Sequence, residues 1–494
     1  MIALVNPRSA RWKHRIPLSI LSLAAVLEGR HAYELIDGNI DGDVRGTLLR
    51  AIRDRDVRYV GMTVMPGPQL AEAIRLTQEI KSERPDVSVI WGGYFASLHT
   101  DVVLQSGIVD YVIRGEGEWS FAELIDALET SKPVDSIPSL SYRPSMKDGR
   151  ILHNPKRAGT DPNELPPPPY HRLNLERYLT KTVLGSRTAV YHSSYGCPFL
   201  CGFCAVASVY KGRWMGRDAD KVVHDVLWLR ERYDVNAIEF IDNNFFVGEK
   251  RTYAIAEGLV RQGISWWGEA RPDTVMHYSD ATWRKMAESG CRMMFFGVES
   301  SSSAVLELMD KGGTQTPDMV LDLARRMKEF GIIPEFSFVL GAPSDDVEQD
   351  IERDIQYIRR IKEINPKSEI IIYVYSPVSF EDATLFQKAR DYGFRFPAVL
   401  TDWLKPEWTN FDLRKDPRTP WLKREYIERI MNFERVLNAR YPTISDIKLK
   451  SWQVLTLKAL GSWRYMTRFY KAPYEIRFVA NRLFRYRQPE VEGF

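Results

Sequence analysis

Cysteine is scarce in this sequence, with four in 494 residues. That argues against a disulfide framework and points to a reducing, cytosolic compartment. Charge of one sign is scarce too. The formal net charge is only +3, so bulk charge gives no argument for nucleic acid or membrane as a partner. Long apolar runs are missing. The best one near the start, "PLSILSLAAVLE", is too short to span a bilayer. Met1 runs straight into "IALVNP" with neither a basic n-region nor a small-residue cleavage site, the opposite of a secretory leader. No G-x-G-x-x-G follows the first predicted strand, which weighs against a dinucleotide domain. What is present, 44% hydrophobic and 27% charged residues, is a globular profile long enough for two or three domains.

Three of the four cysteines fall in "YGCPFLCGFC", Tyr195 to Cys204. Cys197, Cys201 and Cys204 form C-x3-C-x2-C. Thiolates are soft ligands that select zinc, copper or iron–sulfur clusters. A structural zinc site closes with four ligands, usually two C-x2-C pairs or cysteine with histidine, and no second pair exists here. Three thiolates without a fourth suit an iron–sulfur cube with one iron left open to a substrate or cofactor. A structural zinc completed by a distant His or Cys is the alternative. Pro198 and Gly202 allow the chain to wrap tightly, and Phe203 puts a ring just before the third cysteine. Cys291 stands alone beside an apolar strand and reads as a small buried hydrophobe, with a second catalytic thiol as the alternative.

The C-x3-C-x-aromatic-C pattern of Cys197, Cys201, Phe203 and Cys204 resembles the radical S-adenosylmethionine superfamily. The resemblance implies a [4Fe–4S] cluster on the three cysteines and S-adenosylmethionine chelated at the open iron. One electron then cleaves it to methionine and a hydrogen-abstracting 5′-deoxyadenosyl radical. It also implies a partial (β/α)6, TIM-like barrel. Strand and helix patterns do alternate from "TAVYHSSYG" at Thr188 to "SEIIIYVYSP", six strand units in all. Barrel sites lie at strand C-terminal ends. By resemblance, Phe203, Asp242, Arg271, Glu299, Ser300 and Gly341 line the S-adenosylmethionine pocket. Asn243, Asn244 and the "GAP" turn lie beside them. After the sixth strand the chain reads "SPVSFEDAT", without the Pro-Gly-Thr of many relatives.

The N-terminal third reads as five βα units with near-continuous apolar strands, a doubly wound parallel sheet. Such sheets bind ligands at the carboxyl ends of their strands. Gly92 and Gly93 follow the fourth strand and "RGEGE" follows the fifth. This Rossmann-like unit resembles the cobalamin-binding domain found ahead of many radical S-adenosylmethionine barrels. The resemblance implies cobalamin against Thr63, Met65, Gly92, Gly93, Gly115, Glu116 and Gly117. The Asp-x-His-x-x-Gly that supplies an axial histidine is absent. His14 stands in the first loop without its partners, so cobalt is expected without a protein histidine.

The expected domains are a cobalamin-binding unit over 1–135, a linker over 136–186 with the stiff connector "LPPPP", the barrel over 187–395, and a mostly helical segment over 396–494. That last segment is rich in aromatic and basic residues. It reads as a lid on the open side of the barrel, or as a surface in peripheral contact with a membrane. The whole resembles a cobalamin-dependent radical S-adenosylmethionine methyltransferase acting on an unactivated carbon of a small-molecule or lipid-like substrate. A flavodoxin or ferredoxin is its expected electron donor. A cyclase or oxidative rearrangement enzyme of the same architecture, similar to the anaerobic tetrapyrrole cyclases, is the second reading. A non-catalytic cobalamin or metal sensor is the third.

Overall fold

The computed structural model describes residues 1–9, 15–145, 149–311, 314–409, 411, 419–443 and 449–486. His14 lies outside the described residues. The first sheet has seven strands: β1 (Ile2–Asn6), β2 (Tyr33–Asp37), β3 (Tyr59–Thr63), β4 (Ser88–Gly92), β5 (Tyr111–Ile113), β6 (Leu140–Tyr142) and β7 (Leu152–His153). Their order is β2-β1-β3-β4-β5-β6-β7. The first five are parallel, as the five βα units predict. Every residue of β1 is buried, because helices cover both faces of a parallel sheet. One face packs on Leu48, Ile74 and Val103, the other on Ile20, Phe121 and Ile125. β6 and β7 join antiparallel, so part of the stretch expected as linker belongs to this sheet. The connector from Leu165 to Pro169 then bridges two cores. Leu165 packs against the first sheet's core, and Tyr170 is buried in the barrel's.

The second sheet holds β8 (Thr188–Tyr191), β11 (Ala237–Phe240), β12 (Ser265–Ala270), β13 (Cys291–Glu299), β14 (Ile333–Leu340) and β15 (Glu369–Val374), after the short antiparallel pair β9 (Ser194–Gly196) and β10 (Trp214–Gly216). All six strands of the second sheet are parallel, in sequence order. This is the expected partial barrel. Its helices carry local signals that sequence shows. Pro317 opens the helix Pro317–Phe330, the Thr316 side chain caps it, and Gly331 at φ +70° closes it. Asp218 occupies the N-cap of the helix Ala219–Tyr233 but makes no side-chain capping bond.

Alternation along the barrel strands separates two faces. Phe240, Trp266, Phe296, Phe336 and Ile372 are buried against the outer helices. Their neighbours Glu239, Trp267, Glu269, Phe295, Glu335 and Tyr373 are only partly buried. These line the inside of the open barrel, which is therefore a lumen and not a filled core.

From Arg424 onward, the described helices of the C-terminal segment pack on the outside of the barrel, while Trp421 and Leu422 lie against Gly341 at its strand ends. The helix Arg424–Arg440 buries Phe433, Val436 and Leu437 in the same core as Ile370, Ile372 and Val374 of β15, where a barrel's outer helix belongs. The helix Ser451–Thr467 packs against it from outside. Earlier in the segment, Leu400 and Trp403 turn back into the core of the first sheet.

The carboxyl ends of the two sheets face each other. The helix Tyr94–Leu98, which starts right after Gly93, packs against the helix Ala205–Tyr210, which starts right after Cys204. Tyr195 donates from Oη to Glu118 Oε1 at 3.0 Å, and Arg15 pairs with Glu239 at 2.9 Å.

The backbone at Gly93 by itself requires glycine. It sits at φ +88°, ψ −178°, and a Cβ there would lie 2.8 Å from the Val64 carbonyl oxygen. At Gly92 the nearest atom to such a Cβ is 3.8 Å away. Gly93→Ala should therefore cost about 2 kcal/mol or more. Gly92→Ala should cost under about 1 kcal/mol. Urea unfolding midpoints of the two variants check the contrast.

Candidate active site

The cysteine loop leaves β9 at Gly196, whose φ of +75° turns the chain over. A Cβ there would come within 2.1 Å of the Arg213 carbonyl oxygen, so only glycine allows β9 and β10 to close so near the loop. The three sulfurs then meet nitrogen donors. Arg271 Nη1 donates to Cys201 Sγ at 3.1 Å, and Asn244 Nδ2 to Cys197 Sγ at 3.8 Å. Cys204 is the N-cap of the helix Ala205–Tyr210, and the Val206 and Ala207 amides point at its sulfur. Burial, then the neighbouring Cys201, push the Cys204 thiol up to about 12. Burial also raises Cys201, against the opposing charges of Lys311 and Arg271. Such thiols ionise only when a cation coordinates them. Donors aimed at sulfur fit thiolate ligands of an iron–sulfur cluster. Among the described residues, no three His, Cys, Asp or Glu side chains gather around a single point as one ion requires. Three cysteines that each take a different iron of a cube do not need to.

Arg271 was expected to touch S-adenosylmethionine, but its fork is already committed. It grips Asp273 through Nε at 3.0 Å and Nη2 at 2.7 Å, and its guanidinium lies 3.9 Å from the Phe199 ring centroid. Burial opposes both charges. The pair nonetheless holds Asp273 below and Arg271 above their ordinary values, and Thr314 Oγ1 adds a 2.6 Å bond to Asp273.

Glu299 is a non-glycine residue at φ +68°, beyond a register shift in β13. Backbone strain of this kind collects at functional sites. Its carboxylate pairs with Lys311 at 2.6 Å, and both side chains are at most 5% exposed. Ser300 was expected to face the cofactor as well. Its hydroxyl instead donates to Asp354 at 3.1 Å, and Ser301 bonds the same carboxylate. Despite these bonds, burial lifts Asp354 to about 7.

Asp242 joins β11 to the turn after β8, accepting from the Ser193 amide at 3.0 Å and the Ser194 hydroxyl at 2.5 Å. Phe203 packs against Val339, Ala342 and Tyr375. Gly341 at φ +80° lies under Leu422, and its carbonyl accepts from Trp421 Nε1 at 2.9 Å. Several buried polar atoms near the strand ends have no hydrogen-bond partner among the described residues: Asp242 Oδ2, Asn244 Oδ1, Gln315 Oε1 and Tyr375 Oη. An unpaired buried polar atom costs about 1–3 kcal/mol. These atoms suit a polar cofactor that completes their pairing.

On the facing sheet, the Gly93 carbonyl accepts from the Ser97 hydroxyl at 2.8 Å, and that hydroxyl accepts from the Gly115 amide at 2.9 Å. Ser97 thus ties the two glycine turns together. Cβ atoms at Gly92 and Gly115 would meet nothing closer than 3.8 Å, so there is room above both turns, as a broad cofactor requires. Thr63 ends β3, and the 41% exposed Met65 follows two residues later. Glu116 accepts from the Thr160 amide, and Gly117 caps the next helix.

Four site groups were not expected. Tyr94 reaches across from the first domain, 3.4 Å from Asn243 Oδ1. Burial raises its hydroxyl, and the nearby Cys204, Glu269 and Cys197 raise it further. Lys311 and Asp273 are the buried counter-charges described above. Glu269 makes no hydrogen bond to a described residue. Burial, then Glu335 and Asp242, lift its carboxyl to about 8. The sequence did carry a signal for Glu269, because it alternates with Trp267 on one face of β12. Cys291 is buried and its thiol is raised by burial, as expected of a structural cysteine.

Comparison with known proteins matches two family descriptions along the chain. The description "B12 binding domain" matches residues 15–125, and "Radical SAM superfamily" matches residues 191–358. An uncharacterised methyltransferase of Pyrococcus horikoshii is 29% identical over 70% of this chain and 73% of its own. An anaerobic magnesium-protoporphyrin IX monomethyl ester cyclase of Synechocystis is 24% identical over 61% of this chain and 58% of its own. Among solved structures, the cobalamin-dependent S-adenosylmethionine radical enzyme OxsB superposes with a TM-score of 0.70 at 18% identity. It covers 98% of this chain and 75% of its own. The methyltransferase TsrM of Kitasatospora setae gives 0.65 at 18% identity, over 80% and 77%. The chain thus carries a B12-binding domain ahead of a radical S-adenosylmethionine superfamily domain, the architecture of an enzyme.

Proposed function

We propose that this chain, a cobalamin-dependent radical S-adenosylmethionine methyltransferase, methylates an unactivated carbon of a small, largely apolar or lipid-like substrate held in the barrel lumen. The observation that carries the reading is the apposition of the two sheets' carboxyl ends, with Tyr94 entering the space beside Cys197 and Cys204. Methyl transfer needs the two cofactor sites to reach one carbon, in a site that excludes water.

Cys197, Cys201 and Cys204 would hold three irons of the cluster. Phe203, Asp242, Glu299 and Gly341 would border S-adenosylmethionine, while Arg271 and Ser300 act behind that layer. Thr63, Met65, Gly92, Gly93, Gly115, Glu116 and Gly117 would flank cobalamin. When bound, the cluster with S-adenosylmethionine supplies radical hydrogen abstraction, and cobalamin supplies the methyl group. The chain's own residues hold the substrate. Glu269, Phe295 and Glu335 stand in one row by strand register. Trp267 donates to Glu335 at 3.0 Å. Glu269, neutral at pH 7, offers both a donor and an acceptor to one polar group on an otherwise flat, apolar substrate. A flavodoxin or ferredoxin would supply electrons, in the cytoplasm. The similarity to anaerobic cyclases supports a second reading, ring closure within the same lumen.

Anaerobic reconstitution should load about four iron and four sulfide per chain. Cys197→Ala, Cys201→Ala and Cys204→Ala should each abolish 5′-deoxyadenosine formation. Stoichiometric zinc without iron uptake overturns the site. Mass spectrometry of extracts incubated with the enzyme and methyl-labelled S-adenosylmethionine should show a labelled product. An unlabelled, ring-closed product instead favours the cyclase.

Glu269→Gln should keep the cluster and lower product formation about tenfold or more. Wild-type product formation should fall as pH rises through about 8, where Glu269 ionises, and the Gln variant should lose that fall. Stability gives an independent check. The folded-state value of Glu269 lies above its unfolded one, so its neutral form favours the fold. Its contribution is full below about 4.5 and is lost as pH rises to about 8. The Gln variant should therefore unfold at higher urea than wild type at pH 8.

A further inference from the structure

Exposed apolar side chains concentrate on the C-terminal helices, which pack outside the barrel. Among the described residues, eight of the fourteen exposed large apolar side chains fall between residues 452 and 483. The helix Ser451–Thr467 shows why its amphipathic pattern is hard to read in sequence. Leu457, Gly461, Arg464 and Tyr465 are buried on one side. Trp452, Leu455, Trp463 and Met466 follow i, i+3, i+11 and i+14 and form a second stripe on the opposite side. That stripe faces solvent, with Leu455 at 66% and Met466 at 65% exposure. Phe469 stacks on Trp463 with ring centroids 6.0 Å apart. Tyr474, Phe478 and Leu483 extend the exposed surface through the helix Tyr474–Phe478 and the turn after it.

Charge on this layer is one-sided. Residues 449–486 hold eight Lys and Arg against one acidic residue, Glu475. Glu475 is bound by the buried Arg464 at 2.8 Å. The other seven cations are exposed, and none forms an ion pair with a described residue. Some exposed cations elsewhere on the protein do pair with carboxylates, as Arg172 does with Glu28 and Arg429 with Glu352. No helix among the described residues is long and apolar enough to cross a membrane.

We propose that residues 449–486 dock this protein peripherally on an anionic lipid surface. Unpaired cations around an exposed apolar stripe are complementary to acidic headgroups over acyl chains. A polyanion such as nucleic acid matches the charge but has no use for Leu455, Met466 and Leu483. The layer packs outside the helix Arg424–Arg440 and away from the lumen, so it can insert shallowly without disturbing the cysteine loop. The proposal goes beyond the reaction and does not rest on it. Binding is read without turnover, and its failure leaves methyl transfer untouched.

The test is cosedimentation of the full-length reconstituted protein with vesicles. One set is phosphatidylcholine alone, and the other is phosphatidylcholine mixed with phosphatidylglycerol. The protein should pellet with the mixed vesicles, less in high salt, and poorly with phosphatidylcholine alone. The exposed pair Leu455→Ser with Met466→Ser should weaken pelleting about tenfold or more. Arg477→Glu with Arg482→Glu should weaken it at least as much. Unchanged iron content shows that both variants fold. Two results overturn the proposal: equal pelleting of wild type and both variants, or a concentration-dependent dimer that the apolar variant abolishes while no form pellets.

Discussion

The guanidinium of Arg271 sits between the sulfur of Cys201, the carboxylate of Asp273 and the face of Phe199. Burying a cation in a barrel mouth carries a desolvation penalty of several kcal/mol. The cost is offset only because each part of the guanidinium has a partner, and because Thr314 fixes Asp273 in turn. The arrangement places a permanent positive charge next to three potential thiolates. Lys311 does the same on the other flank while pairing with Glu299. The strained backbone of Glu299, the register shift in β13 and the close-packed turn at Gly196 all serve to bring these charges to the cysteine loop. Without compensating cations, a cluster carried by three thiolates would place uncompensated negative charge in a buried site.

A sequence reading recovers what is periodic or chemically rare. The cysteine triplet, the six barrel strands and the parallel sheet before them are legible because soft ligands and apolar runs leave strong local marks. Pro317 and Gly331 bracket their helix as their backbone preferences require. Side-chain direction is another matter. Arg271 and Ser300 sit at strand ends as expected, yet both turn away to Asp273 and Asp354, partners two and 54 residues away along the chain. Asp354 itself left a trace, a carboxylate on the apolar face of the helix Val347–Ile364 beside Ile351, Ile355 and Ile358. Tyr94 left none. Only the docking of one domain on the other brings it to the cysteines.

That docking also explains the connector. Parallel sheets gather all their polar strand ends on one side, so two such sheets share a ligand space only when they meet end to end. The prolines from Pro166 to Pro169 limit how far the chain can swing. The short turns after them then anchor back on the first domain, where Arg172 binds Glu28 at 2.8 Å. The lumen between is walled by helices outside and closed at its mouth by the partner domain, through Tyr94 and Arg15.

Trp403 belongs to the first sheet's core, with its ring 4.9 Å from that of Phe95 and 5.0 Å from that of His99. The whole barrel lies between these partners along the chain. During synthesis, then, the N-terminal domain emerges first but with part of its core missing. It can close fully only after the ribosome has released the barrel and the turn Leu400–Leu404. The core of the domain expected to receive cobalamin is therefore completed only after the cysteine loop that it faces has been synthesised.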